Sequence, residues 1–319
     1  MMTIPKRLYA SLAAVLFVFV VGAQITSAQV RTPRPSPKAS VMQTIGVTDV
    51  TITYSRPAVK GRTIWGDALP EQAATKGEAT LDDQNVRPKG AAIVPWGHAW
   101  RTGANEATQF VVTDDVLING QKLPAGSYSL HTIPTKDEFT IIFNSVANQW
   151  GSFGYDAAKD TLRVKVKPEW SEHSKEWLEY WIDPVNDTSA QVNIRWEKLR
   201  VPFTVEVKDV QGLTMAKARA AVAAAKPDDF VTPLQAANYA LSNKLNVDEA
   251  MGWLNQSIKI KETIGNVGLK ARVLAEQGKT ADAIAAGERA IQVGKDAKAN
   301  PQAIANMEKL VGEWKAKKM

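Results

Sequence analysis

The side chains able to do chemistry concentrate in Trp100-Arg101-Thr102-Gly103-Ala104-Asn105-Glu106, where an aromatic, a cation, an amide and an acid crowd one glycine. The run lacks the alternation of a half-buried strand, so core packing alone does not explain it. Gly103 supplies the bend expected to bring Arg101 and Glu106 together. Upstream, Arg56, Lys60 and Arg62 place three cations within seven residues. Guanidinium forks suit carboxylate, phosphate or sulfate, and the faces of Trp65, Trp100 and Trp150 suit sugar rings or aliphatic groups. The sequence therefore marks Arg56, Lys60, Arg62, Trp65, Trp100, Arg101, Asn105, Glu106 and Trp150 as candidate ligand-binding residues. An architectural alternative uses the same residues, with Arg101 and Glu106 as a buried pair, Asn105 closing turn hydrogen bonds and the tryptophans in the core.

Other chemistries find less support. His98 and His131 are the weak metal candidates, with Glu106 as a third ligand of a histidine-carboxylate site, but nothing spaces two ligands on one helical face. His173 falls in a charged, helix-like stretch, Glu169–Glu176, and reads as solvated. Glu106 is also the weak candidate for a catalytic acid. Its nearest partners in kind, Asp114, Asp137 and Asp156, sit in turn contexts where capping is the commoner job. The chain has no Gly-x-Ser-x-Gly elbow, no Walker loop and no Gly-x-Gly-x-x-Gly, so serine-triad and nucleotide chemistry are not expected. No cofactor is predicted, apart from a divalent metal at those histidines. Binding is favoured over catalysis, and the alternative is a periplasmic hydrolase using Glu106 with His98 or His131, metal-assisted or not.

The elements that must position these residues lie in an exported chain. Lys6 and Arg7, an apolar run from Leu8 to Ala23, and Thr26-Ser27-Ala28 match a secretory signal cleaved after Ala28. That run is short of the roughly 20 residues of a membrane span, so no stable membrane anchor is expected after cleavage, and the location is periplasmic or secreted. Removing 28 residues from 319 leaves a mature chain of 291, and losing Lys6 and Arg7 takes the net charge from +6 to +4. That mild, scattered excess carries no basic stripe, which argues against nucleic acid as a partner. The absence of cysteine excludes disulfides, thiolate metal sites, a cysteine nucleophile and a lipid anchor at the cleavage site.

Residues 29–39, proline-rich, read as an extended linker. From 40 to 210 the chain reads as an antiparallel β domain, a sandwich or barrel-like sheet, interrupted by a surface insertion at 70–93. The expected strands are Val47–Tyr54, Ala107–Thr113, Tyr128–Ile133, Phe139–Asn144, Thr161–Lys167, Glu179–Ile182, Gln191–Glu197 and Phe203–Val207. Asn119-Gly120 marks a type I′ hairpin and Pro124-Ala125-Gly126 a turn. From 213 to 319 alanine dominates, and apolar residues recur at helical spacing in Met215–Ala225, Pro233–Lys244, Val247–Lys261, Val267–Gln277, Thr280–Lys295 and Pro301–Lys317. A shift of 33 residues aligns Leu241 with Leu274, Ala250 with Ala283, Ser257 with Ala290 and Ile258 with Ile291, a period resembling tetratricopeptide helical hairpins. Gly278 would turn between paired helices, with Asn246 or Asp248 and Thr280 at helix starts.

Four blocks carry a resemblance: Arg56 to Gly66, Trp100 to Thr108, Leu123 to Leu130 and Asn148-Gln149-Trp150-Gly151. They resemble the hallmark blocks of a bacterial family of uncharacterised proteins, domain-of-unknown-function family 2911, over about Ser36 to Val207. The resemblance implies no activity, although members with a similar helical tail are part of it. Residues 70–93 depart from its pattern, because members pass quickly from the Ile-Trp-Gly block to the Trp-Arg-Thr-Gly block. The chain is thus expected to be a ligand-binding or protein-interaction module, its partner an unidentified small molecule or protein.

Overall fold

The computed structural model describes residues 32–70 and 89–318. The expected signal segment and most of the expected 70–93 insertion lie outside the described residues. Among the described residues no helix is long and apolar enough to cross a membrane.

Short runs of β-branched and aromatic residues build twelve strands among the described residues. They are β1 (Lys38–Ile45), β2 (Thr48–Ser55), β3 (Trp65–Gly66), β4 (Val94–Pro95), β5 (Thr108–Val112), β6 (Val116–Ile118), β7 (Gln121–Leu123), β8 (Gly126–Pro134), β9 (Phe139–Asn144), β10 (Asp160–Val166), β11 (Glu169–Asn186) and β12 (Ser189–Glu206). One sheet is ordered β1-β2-β5-β8-β9-β10 and the other β11-β12-β6-β7, all antiparallel. A short parallel pair, β3 with β4, lies beside them. Alternate residues of the two sheets face one core, where Phe110 and Phe143 meet Phe203 of the opposite sheet at 6.3 and 6.1 Å between ring centres. The β domain expected from the sequence is therefore present, and it is a two-sheet sandwich.

Three details differ from the expectation. β1 was assigned no strand, yet Ala39, Val41 and Ile45 alternate inward against β2 and the core. Gln191–Glu197 and Phe203–Val207, apart from Val207 itself, belong to one 18-residue strand, β12, which pairs with both β11 and β6. The helix-like Glu169–Glu176 is the first half of β11, with His173 exposed on it. Its charges carry no apolar helical stripe, and pairing with β12 across register shifts near Lys175 decides its form. The Asn119-Gly120 hairpin matches the sequence: both residues have positive φ, 46° and 81°, as a type I′ turn requires.

Six helices follow: α1 (Val210–Ala224), α2 (Val231–Ser242), α3 (Val247–Ile260), α4 (Ile264–Glu276), α5 (Thr280–Asp296) and α6 (Pro301–Lys318). Asp209 caps α1 by accepting from the Gly212 N–H at 2.8 Å. Val210 and Leu213 pack on the β core, and Lys217 reaches Asp114 at 2.7 Å and the Val47 carbonyl at 2.8 Å. Across the 33-residue shift, Ala250 and Ala283 are both fully buried, as are Ser257 and Ala290. Gly278 has φ +76° in the turn between α4 and α5. Asn246 caps α3, whereas Lys279 rather than Thr280 holds the position before α5 and makes no side-chain cap.

Candidate functional site

The Trp100–Glu106 run is a loop thrown out from an otherwise continuous strand line. Thr108 pairs with Leu130 of β8, so the same register extended would set Glu106 opposite Thr132. Trp100 occupies that place instead, exchanging backbone hydrogen bonds with Thr132 at 2.8 and 2.9 Å. Residues 101–107 bulge outward, and the Thr108 N–H to Arg101 carbonyl bond, 3.2 Å, closes the neck. The bend is not made at Gly103, whose φ is not positive. Thr102 and Asn105 adopt the left-handed region, at φ 51° and 59°. For a β-branched residue that conformation is costly, and strain of this kind gathers at functional loops. Gly103 is needed for space: a Cβ there would stand 2.8 Å from Thr108 Oγ1.

Buried hydrogen bonds hold the strained Thr102. Its carbonyl accepts from Tyr180 OH at 2.9 Å and Thr108 Oγ1 at 2.8 Å, and its hydroxyl donates to the Trp100 carbonyl at 3.2 Å. Trp100 is buried and stacks on Trp196 of β12 at 5.8 Å. Trp65 meets Trp100 edge-on at 5.6 Å and stacks on Trp96 at 6.0 Å. Trp100 is thus a core residue, while Trp65 sits between the core and a surface groove of about 820 Å³ that Arg62, Trp96, Asp137 and the exposed Trp170 also line.

Glu106 emerges on the other side. Its backbone pairs with Trp150, and the Ala107 N–H donates to the Gln149 carbonyl at 3.0 Å. Arg34, from the arm preceding β1, donates to both Glu106 oxygens at 2.7 and 2.9 Å. The anticipated Arg101–Glu106 pair is therefore replaced, because Asn105 Nδ2 donates to the Ser36 carbonyl at 3.2 Å and so lays the arm over the loop. Arg101 is half-buried at the loop's neck. Burial opposes ionisation of Glu106, but hydrogen bonds from Arg34 and its own backbone, with the charges of Arg34 and Lys38, hold the carboxyl below its ordinary range.

Beside Glu106 a cleft of about 290 Å³ opens, lined by Lys38, Thr53, Tyr54, Ser55, Ala107, Gln109, Ala147, Asn148, Gln149 and Trp150. Trp150 is 51% exposed, so its indole is a wall of the cleft rather than part of the core. Gln109 Nε2 donates to Asn148 Oδ1 at 2.7 Å and Gln149 Nε2 to Ser129 Oγ at 2.9 Å, so the amides are held in place. Such a site offers one aromatic face, fixed amides, an anion and a cation.

The remaining sequence candidates do not line this cleft. Arg56 donates to the Leu178 carbonyl at 2.8 Å and lies 3.9 Å from Glu179. The Lys60 N–H donates to Glu176 at 2.9 Å, and Arg62 donates to the carbonyls of Ala58 and Val59 at 2.5 and 3.1 Å. The two arginine side chains and the Lys60 backbone thus tie the 56–62 turn to β11 and to itself. His98 and His131 are buried, and the His131 ring packs 4.9 Å from Tyr155. Neither lines the cleft with Glu106, and among the described residues no group of three or more histidine and acidic side chains could hold a metal. Sequence reasoning missed Arg34, Lys38 and Gln109. Arg34 was hidden in an arm read as linker, and the only hint was a cation two residues before Ser36, where the resemblance begins.

The profile of one family, described as "Protein of unknown function (DUF2911)", matches residues 36–205, more than half of the chain. The chain belongs to the DUF2911 family. The matched DUF2911 domain runs from the arm beside Asn105 to the end of β12, so the cleft and the loop lie within it and the six helices outside. No curated protein and no solved structure matches the chain.

Proposed function

We propose that this DUF2911 protein is an exported ligand-binding protein whose site is the cleft between Glu106 and Trp150. One observation carries the reading: a half-exposed tryptophan stands against pinned amides and an ionised carboxylate, on a loop built with strained backbone. An aromatic wall with oriented polar groups favours a small polar ligand having one apolar face, while the mixed charges of Glu106 and Lys38 provide selectivity. Export is proposed from the amino-terminal sequence, and the tetratricopeptide-like reading of the helices from the 33-residue correspondence. Binding ranks above hydrolysis because, among the described residues, the cleft lining holds no second acid beside Glu106 and neither His98 nor His131.

The test is a thermal-shift screen of the chain from Gln29 onward against oligosaccharides, small carboxylates and short peptides. At least one class is expected to stabilise the wild type and to lose that effect in Trp150→Ala. Stabilisation that survives Trp150→Ala unchanged contradicts the assignment of this cleft.

A further inference from the structure

The cleft already meets a cation, and that cation comes from the chain itself. Arg34 grips both oxygens of Glu106, yet the pair stays open to water, with the two side chains 48% and 36% exposed. Among the described residues the arm carrying Arg34 is attached before β1 by the Asn105 amide on the Ser36 carbonyl and by the Arg56 N–H donating to the Pro37 carbonyl at 2.9 Å. Glu106, in contrast, is built into the framework by its pairing with Trp150. A carboxylate on a fixed backbone beside an exposed indole is a receptor for a planar cation, which can bond the carboxylate through its edge and stack its face on the ring. Lys38 on the same cleft supplies a counterpart for a negative group.

We infer, resting on the binding role proposed above, that the ligand is a peptide segment bearing an arginine next to a carboxylate, and that Arg34 is a built-in competitor for its guanidinium. The arm and the ligand use the same two oxygens, so the ligand binds only the fraction of molecules in which Arg34 has let go. If Arg34 occupies Glu106 about four-fifths of the time, its removal raises apparent affinity about fivefold.

Isothermal titration of N-acetyl-arginine, with its neutral isostere N-acetyl-citrulline as control, tests this on the wild type, Arg34→Ala and Arg34→Ala with Glu106→Gln. The arginine probe is expected to bind Arg34→Ala about fivefold more tightly than the wild type. It should also outbind the citrulline probe there and lose that advantage when Glu106 is neutralised. Equal affinity for wild type and Arg34→Ala, equal binding of the two probes, or no binding to Arg34→Ala overturns the inference. Those results leave Trp150-dependent stabilisation by other ligands standing, so failure here is distinct from failure of the cleft itself.

Discussion

At Thr102 a β-branched residue is held at φ 51° inside the protein by hydrogen bonds through both its carbonyl and its hydroxyl. That combination explains why the Trp100–Glu106 run reads oddly as sequence. Nothing in Thr-Gly-Ala-Asn announces that the threonine and the asparagine, rather than the glycine, take the left-handed turns. Gly103→Ala is expected to destabilise the fold by about 1–3 kcal/mol, because its Cβ would press on Thr108 Oγ1; urea unfolding reads this. Arg34→Ala removes an exposed pair and is expected to cost under about 1 kcal/mol, less at high salt. Its clearer mark is on titration. Glu106 is held low in the folded protein, so its contribution to stability is present above the ordinary carboxylate range and is lost as pH falls through the folded value. NMR titration of Glu106 in Arg34→Ala should show the carboxyl moving up, and an unmoved value contradicts the pairing.

At the scale of elements, legibility followed how locally each one is determined. Phe139–Asn144 is a strand with the limits its apolar run suggests, and Asn119-Gly120 forms the hairpin its residues demand. The first half of β11 was misread because its Glu, Lys and His residues show no period, and only its partner β12 makes it a strand. Sequence spacing groups Arg56, Lys60 and Arg62 but does not show that the Arg56 and Arg62 side chains donate to backbone carbonyls, of a neighbouring strand and of their own turn. In the helices, small residues mark contacts. A Cβ on Gly268 would lie 2.7 Å from Met307 Cε, and one on Gly287 would collide with Val311. Gly287→Ala should therefore loosen α6 from α5 at a cost of about 1–3 kcal/mol, with earlier hydrogen exchange in α6 as the readout. Asn246→Ala loses the α3 cap and places alanine at φ 36°, so a loss of about 1–2 kcal/mol is expected in thermal unfolding.

For the whole molecule, the sandwich encloses its own core, and the helices join it through Val210, Leu213 and the Lys217–Asp114 contact. Burial opposes ionisation of Asp114, but Lys217, Thr48 and Thr113 outweigh it and hold the carboxyl low, so this link too weakens as pH falls through its folded value. The absence of cysteine leaves both regions without disulfides. The central claim is that ligand meets the chain at the Glu106–Trp150 cleft of the sandwich and not on the helices. The most direct measurement is an amide and indole nitrogen–proton correlation spectrum of Arg34→Ala during addition of N-acetyl-arginine. The account predicts shifts at the Trp150 indole and the Gln109, Asn148 and Gln149 side-chain amides. Shifts at residues 210–318 with none at these cleft groups would contradict it.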